Sequence, residues 1–241
     1  MNVHVYDTYE EMSKNAAEEI ISLLNSKPNS VLCIPGGDTP KEMLSYLVQA
    51  YKLGRVDFSQ ATFIGLDDWV GVGPEDIGSC QLFLNSNFFH QVNAKKENIH
   101  LFDTMSEDLE NECKKKDELV EKYGGFDLMI LGIGMNGHLG FNEPGVDFGL
   151  KSHVIDLDET TQSVGQKYFE EKKELKQGIT LGVKHLLNSR TIFLLANGEK
   201  KAEIVKATIE GPVTNTNPAS VLQQHENIHY YLDQKAASLL G

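Results

Sequence analysis

Between Ser30 and Leu195 the chain carries four short apolar runs, SVLCI, ATFIGL, FDLMIL and TIFLL, each followed by a turn rich in Gly, Asp or Asn. Stretches with helical periodicity lie between them, so the runs read as buried strands and the intervening segments as amphipathic helices. Strand-helix alternation of this kind predicts an α/β fold: a Rossmann-like, mostly parallel sheet with helices on both faces. The 241 residues suit one such domain, 1–241, and no linker, internal repeat or low-complexity tract divides them. In sheets of this type ligands bind beyond the carboxyl ends of the strands. Function is therefore expected in PGGDTP, DDWVG, GIGMNGHLGFNEPG and ANGEKKA, the four segments that follow those runs.

Further strands are expected at NVHVY, HVIDL and NIHYYL. Helices are predicted over about 8–24, 40–53, 79–89 and 106–123, the first with Thr8 as N-cap and Glu11 completing a capping box.

Charge narrows the partners. With 35 acidic against 22 basic residues the net charge is -13, a field that repels nucleic acid and anionic membrane surfaces. The opening MNVHVYDTYEEM lacks the basic stretch and apolar core of a signal peptide, and no apolar run approaches a membrane span. Three widely spaced cysteines, Cys33, Cys80 and Cys113, suit neither a disulfide framework nor a zinc knuckle, so a cytoplasmic location is expected. A metal held by His138, Glu143 and Asp67 is an alternative that no close His/Cys pairing supports.

Gly132, Gly134 and Gly137 spell G-x-G-x-x-G after a strand, and Asp156 and Asp158 lie near the offset of a ribose-binding acid. A dinucleotide turn also needs a helix that starts within the glycines, to hold the pyrophosphate on its N-terminal N–H groups. Gly140, Pro144 and Gly145 interrupt any such helix, so no dinucleotide is expected. What the loop supplies is an imidazole, His138, with a carboxylate, Glu143, five residues on. A carboxylate on one ring nitrogen frees the other for proton transfer, although an acid capping a loop histidine has the same spacing.

Asp67 and Asp68 close a strand next to this loop, where burial raises a carboxyl pKa toward the range of a general base. Asp68 or Asp76 equally suits a turn cap, and Trp69 is either a packing residue or a ligand platform. In PGGDTP the Gly36 and Gly37 backbone, the Thr39 hydroxyl and the following helix N-terminus suit a phosphate. Asp38 repels one unless it turns outward, and Lys201 is placed to bring positive charge, or is solvated like Lys200.

The strings GGDTP, LDDWVG, LGIGMNGHLGFNEPG and QGITLGVKHLLNS, in this order, resemble the glucosamine-6-phosphate/galactosamine-6-phosphate isomerase (deaminase) family over nearly the whole chain. The resemblance implies the fold of ribose-5-phosphate isomerase and 6-phosphogluconolactonase, no cofactor, and conversion of an amino-sugar 6-phosphate and water to a ketohexose 6-phosphate and ammonium. It implies Asp67 as the base between C2 and C1, His138 as the ring-opening group, and Glu143 as its orienting partner. Gly36, Gly37, Thr39, Lys201 and Lys167 fall where the family holds phosphate, with Lys167 in place of the usual Arg. The family commonly has Asp where this chain has Asn136, which carries no charge and takes no proton. Trp69, the stretch Gly78, Ser79, Cys80 and NGHLG are closer to relatives acting on the galacto epimer, leaving the C4 preference open. Ile155 stands where allosteric relatives have Lys, so no activation by an N-acetyl-sugar phosphate is expected, and about 158–177 is expected either as a lid or as a solvated helix pair. The chain is expected as a monomer or homo-oligomer. A 6-phosphogluconolactonase-type hydrolase and a non-catalytic sugar-phosphate-binding regulator are the alternatives; Cys80 as a nucleophile has no evident base.

Overall fold

The computed structural model describes residues 1–241. In chain order the strands are β1 (Asn2–Tyr6), β2 (Val31–Ile34), β3 (Thr62–Gly65), β4 (Asp67–Trp69), β5 (Ile99–His100), β6 (Leu128–Gly132), β7 (His153–Asp156), β8 (Gln177–Thr180), β9 (Ile192–Ala196) and β10 (Ile228–Asp233). The helices are α1 (Tyr9–Ser26), α2 (Asp38–Lys52), α3 (Cys80–Asn87), α4 (Leu109–Tyr123), α5 (Glu159–Gly165), α6 (Val183–Leu187) and α7 (Ala202–Ile209).

Seven strands form one sheet in the order β1-β10-β9-β6-β2-β3-β5, all paired in parallel. Side chains alternate along each central strand, and here both sides are buried. Cys33, Met129, Leu131 and Leu194 enter one core, while Leu32, Ile130, Phe193 and Leu195 enter the other. Burial on both faces explains why these strands read as unbroken apolar runs. Strand order reverses between β2 and β6, since the chain runs outward through β3 and β5 on one side and through β9 and β10 on the other. That switch point opens a crevice at the carboxyl ends.

Two sequence expectations need correction. DDWVG is not wholly loop: Asp67 to Trp69 form β4, which pairs antiparallel with β8, and β8 pairs antiparallel with β7. HVIDL therefore belongs to a separate three-stranded sheet and not to the parallel one. The strands β5 and β8 went unpredicted, being short and, in Gln177–Thr180, carrying a Gly in place of an apolar residue. Gly178 is required because a Cβ there meets the Phe141 ring at 2.3 Å. The N-cap on Thr8 is present, its hydroxyl accepting from Glu11 N at 3.1 Å.

No helix is long and apolar enough to cross a membrane.

Candidate active site

A cavity of about 420 Å³ lies beyond the carboxyl ends of β3, β2, β6 and β9, four adjacent strands. Asp67, Asn136, His138, Gly36, Gly37, Thr39, Lys167 and Lys201 all line it. Glu143 does not; it is buried behind His138.

Because β4 is extended, Asp67 and Asp68 point to opposite sides. Asp68 faces the start of α3, where its carboxylate accepts from the N–H groups of Trp69 at 2.8 Å, Cys80 at 2.9 Å and Gln81 at 3.1 Å. It is a buried helix cap, and burial lifts it to about 6 against those three donors. Asp67 faces the cavity. Burial, together with the adjacent Asp68, pushes its carboxyl up to about 8. Trp69 is buried and lies 4.6 Å, centroid to centroid, from the Phe141 ring, packing beneath the small sheet while one edge reaches the cavity.

The glycines of the loop after β6 serve close approach. A Cβ on Gly134 would lie 2.3 Å from the His138 ring, so the imidazole rests against bare backbone. Gly137 has φ of +84° and turns the chain back, with Asn217 Oδ1 occupying the space a Cβ would need. No helix follows the glycines. Asn136 ties the loop together: its Oδ1 accepts from His138 N at 3.2 Å and its Nδ2 donates to Glu143 Oε2 at 2.8 Å.

His138 Nδ1 has two neighbours. Glu143 Oε2 lies 3.4 Å away, whereas Thr161 Oγ1 lies at 3.0 Å. Glu143 thus lies against the ring as expected, and Thr161 is a second, closer neighbour that was not foreseen. It lies 23 residues downstream on α5 and is buried, and nothing in a Thr-Thr pair after Asp158 marks it in the sequence. Burial raises the Glu143 carboxyl, but His138, Thr161 and Asn136 outweigh it and hold the group below its usual range.

At the far end α2 begins at Gly37, whose φ of +103° leaves the first amides of the helix without a side-chain cap. Tyr9 buttresses this turn, its hydroxyl donating to the carbonyls of Asp38 at 3.0 Å and Thr39 at 2.9 Å. Asp38 stays at the rim of the cavity, largely exposed, and pairs with Lys167 at 2.7 Å. Lys201 donates to the Ile133 carbonyl at 2.5 Å; burial, then Lys167, lowers its ammonium to about 8. Open amides and two cations thus converge on one corner, the arrangement that suits a phosphate.

The segment 158–177 holds one short helix, α5, and a 3-10 turn at Gln166–Tyr168 in place of a helix pair; it is mostly exposed but anchored by buried Thr161, Gly165 and Leu175, and a Cβ on Gly165 would meet the Trp69 ring at 2.6 Å. Cys80 lies inside the cavity wall with its thiol pushed up by burial and the two aspartates, the opposite of an activated nucleophile. Nowhere do three His, Cys, Asp or Glu side chains converge at metal-binding distances.

Comparison with known proteins matches residues 6–230 to the family described as glucosamine-6-phosphate isomerases/6-phosphogluconolactonase. A glucosamine-6-phosphate deaminase of Thermoanaerobacter sp. (strain X514) is 43% identical over 241 residues, covering 100% of this chain and 95% of the relative. One from Clostridium botulinum (strain Hall) is 40% identical over 242 residues, covering 100% and 99%. A solved monomeric glucosamine-6-phosphate deaminase superposes with a TM-score of 0.96 at 34% identity, over 99% of this chain and 100% of that one. The 6-phosphogluconolactonase of Trypanosoma brucei shares the fold, with a TM-score of 0.77 at 18% identity over 100% and 98% of the two chains.

Proposed function

The chain belongs to the glucosamine-6-phosphate isomerase/6-phosphogluconolactonase family, and from that premise we propose that it is a glucosamine-6-phosphate deaminase. The observation that carries the reading is the placement of two separate proton-handling groups, Asp67 and His138, in one cavity whose far corner suits a phosphate. An aldose-ketose conversion needs one base over two adjacent carbons, and opening a pyranose needs a second group at the ring oxygen.

The substrate 6-phosphate sits on the α2 N-terminus between Lys167 and Lys201, beside the Thr39 hydroxyl. His138, through Nε2, takes the proton from the O1 hydroxyl and delivers it to the ring oxygen, which opens the sugar to the aldehyde. Asp67 takes the proton from C2 of the open-chain aldehyde, leaving an enolamine, and returns it at C1. The resulting C2 iminium adds water and releases ammonium, so that glucosamine 6-phosphate and water become fructose 6-phosphate and ammonium. A carboxyl with its pKa near 8 suits both halves of this shuttle, since it takes and returns a proton at little cost. Asn136 leaves the Glu143 carboxylate ionised by donating to it. A second carboxylate at this position would instead have to share a proton with it.

The test is a substrate panel: glucosamine 6-phosphate, its C4 epimer galactosamine 6-phosphate, and 6-phosphogluconolactone. Ammonium release with the highest kcat/KM on glucosamine 6-phosphate is expected. Preference for the galacto epimer would move the substrate assignment, lactone hydrolysis without ammonium would favour a hydrolase, and sugar-phosphate binding without any turnover would favour a regulator.

A further inference from the structure

His138 Nδ1 holds either a proton or a lone pair, and its surroundings decide which. The ionised Glu143 is acceptor-only and its Oε2 lies 3.4 Å from the nitrogen, so a lone pair on Nδ1 would face a carboxylate. A proton there faces two oxygens instead, and the nearer is Thr161 Oγ1 at 3.0 Å. Glu143 Oε2 is already engaged by Asn136 Nδ2 at 2.8 Å, while Oε1 is buried with no partner, so the carboxylate keeps acceptor capacity for a further donor. A threonine hydroxyl can accept one hydrogen bond and donate another.

We propose that Thr161 is the positioning residue of His138: its hydroxyl accepts the Nδ1 proton and so fixes the tautomer that leaves Nε2 free toward the cavity. The ring is then held chiefly by Thr161 at 3.0 Å, with the Glu143 carboxylate at 3.4 Å as the second, longer partner. The consequence reaches beyond one hydrogen bond, because Thr161 belongs to α5 while His138 and Glu143 belong to the loop after β6. The tautomer of the ring therefore depends on α5 being seated, and α5 is seated by Gly165 against Trp69. Displacement of 159–165 removes the nearer of the two Nδ1 partners.

The inference rests on the reading of His138 as the ring-opening group, and its test separates the two. The ring nitrogens of His138 are followed by long-range ¹H–¹⁵N correlation in labelled protein, assigned by the signal lost in His138→Gln. The wild type is expected to show the Nδ1–H tautomer, Thr161→Val a mixture of tautomers, and Thr161→Ser the wild-type form. With glucosamine 6-phosphate, Thr161→Val is expected to lower kcat about tenfold with KM within about twofold, the effect of losing one positioning hydrogen bond, and Thr161→Ser to restore kcat. An Nε2–H tautomer in the unmodified protein overturns the proposal whether or not the valine variant folds. So does a valine variant that keeps the wild-type tautomer and kcat, or a serine variant indistinguishable from valine. Absence of ammonium release from the wild type would defeat the proposed function alone, and the spectra would still decide the role of Thr161.

Discussion

Two neighbouring carboxyls of one short strand have opposite fates, and the cause is which way each points. Asp68 is satisfied by three backbone N–H groups and has a structural task; Asp67 has only the cavity, burial and a like charge beside it. The raised pKa of Asp67 carries a stability cost whose sign can be followed. Between about pH 4 and pH 8 the unfolded chain has released this proton while the folded chain retains it, so stability falls as pH rises through that window and levels off above it. Asp67→Asn removes the titration. Its melting temperature is expected to match the wild type near pH 4 and to exceed it by a growing margin up to pH 8, measured by scanning calorimetry in matched buffers. Position 67 was visible in LDDW as a candidate base and Asp68 as a candidate cap, but the strand pairing with β8 that turns the two to opposite sides was not, because the sequence signal of β8 was weak.

At the scale of elements, the functional groups come from four loops after adjacent strands and from one segment, 158–177, that crosses above them. The loops were legible since apolar runs mark strand ends and a parallel sheet places its ligands there. The contribution of α5 was not, because its contacts to the loop after β6 are long-range and involve a single hydroxyl. The ion pair between Lys167 in this segment and Asp38 at the start of α2 is likewise a tertiary fact. Both side chains are about half exposed or more, so the pair itself adds little stability. Its effect falls on the ligand: a phosphate must compete with the Asp38 carboxylate for Lys167, and it meets a negative charge at the helix N-terminus. Asp38→Ser removes the competitor and the repulsion. KM for the sugar phosphate is expected to fall severalfold with kcat little changed, read from initial-rate kinetics at constant ionic strength.

Over the whole molecule, one sheet with two buried faces carries the loops that bear the imidazole and the phosphate corner, while Asp67 lies on β4, which follows directly from β3 into the small sheet. The fold class was readable because apolar runs buried on both sides have a sequence signature. The small antiparallel sheet was not, because β4 and β8 are short and polar or glycine-containing, and their burial comes from packing Trp69 and Phe141 beneath them. Two groups of this frame titrate near the same pH. As the proposed base, Asp67 must lose its proton to act, so kcat/KM is expected to rise as pH approaches about 8. Lys201, lowered to about 8 by burial and Lys167, loses its charge above that and with it part of the hold on phosphate. A narrow bell in kcat/KM centred near pH 8 is expected, and Lys201→Met is expected to abolish the alkaline limb while raising KM.

The central claim is that Asp67 moves a substrate proton while other residues hold the sugar phosphate. Ammonium release from glucosamine 6-phosphate and calorimetric binding of the same compound, each compared between the wild type and Asp67→Asn, test it together. Wild-type turnover with one ammonium per fructose 6-phosphate is expected, and an Asn variant that binds with nearly unchanged Kd but turns over orders of magnitude more slowly. An Asn variant that retains most of the wild-type rate, or a wild type that binds the sugar phosphate and releases no ammonium, would contradict it.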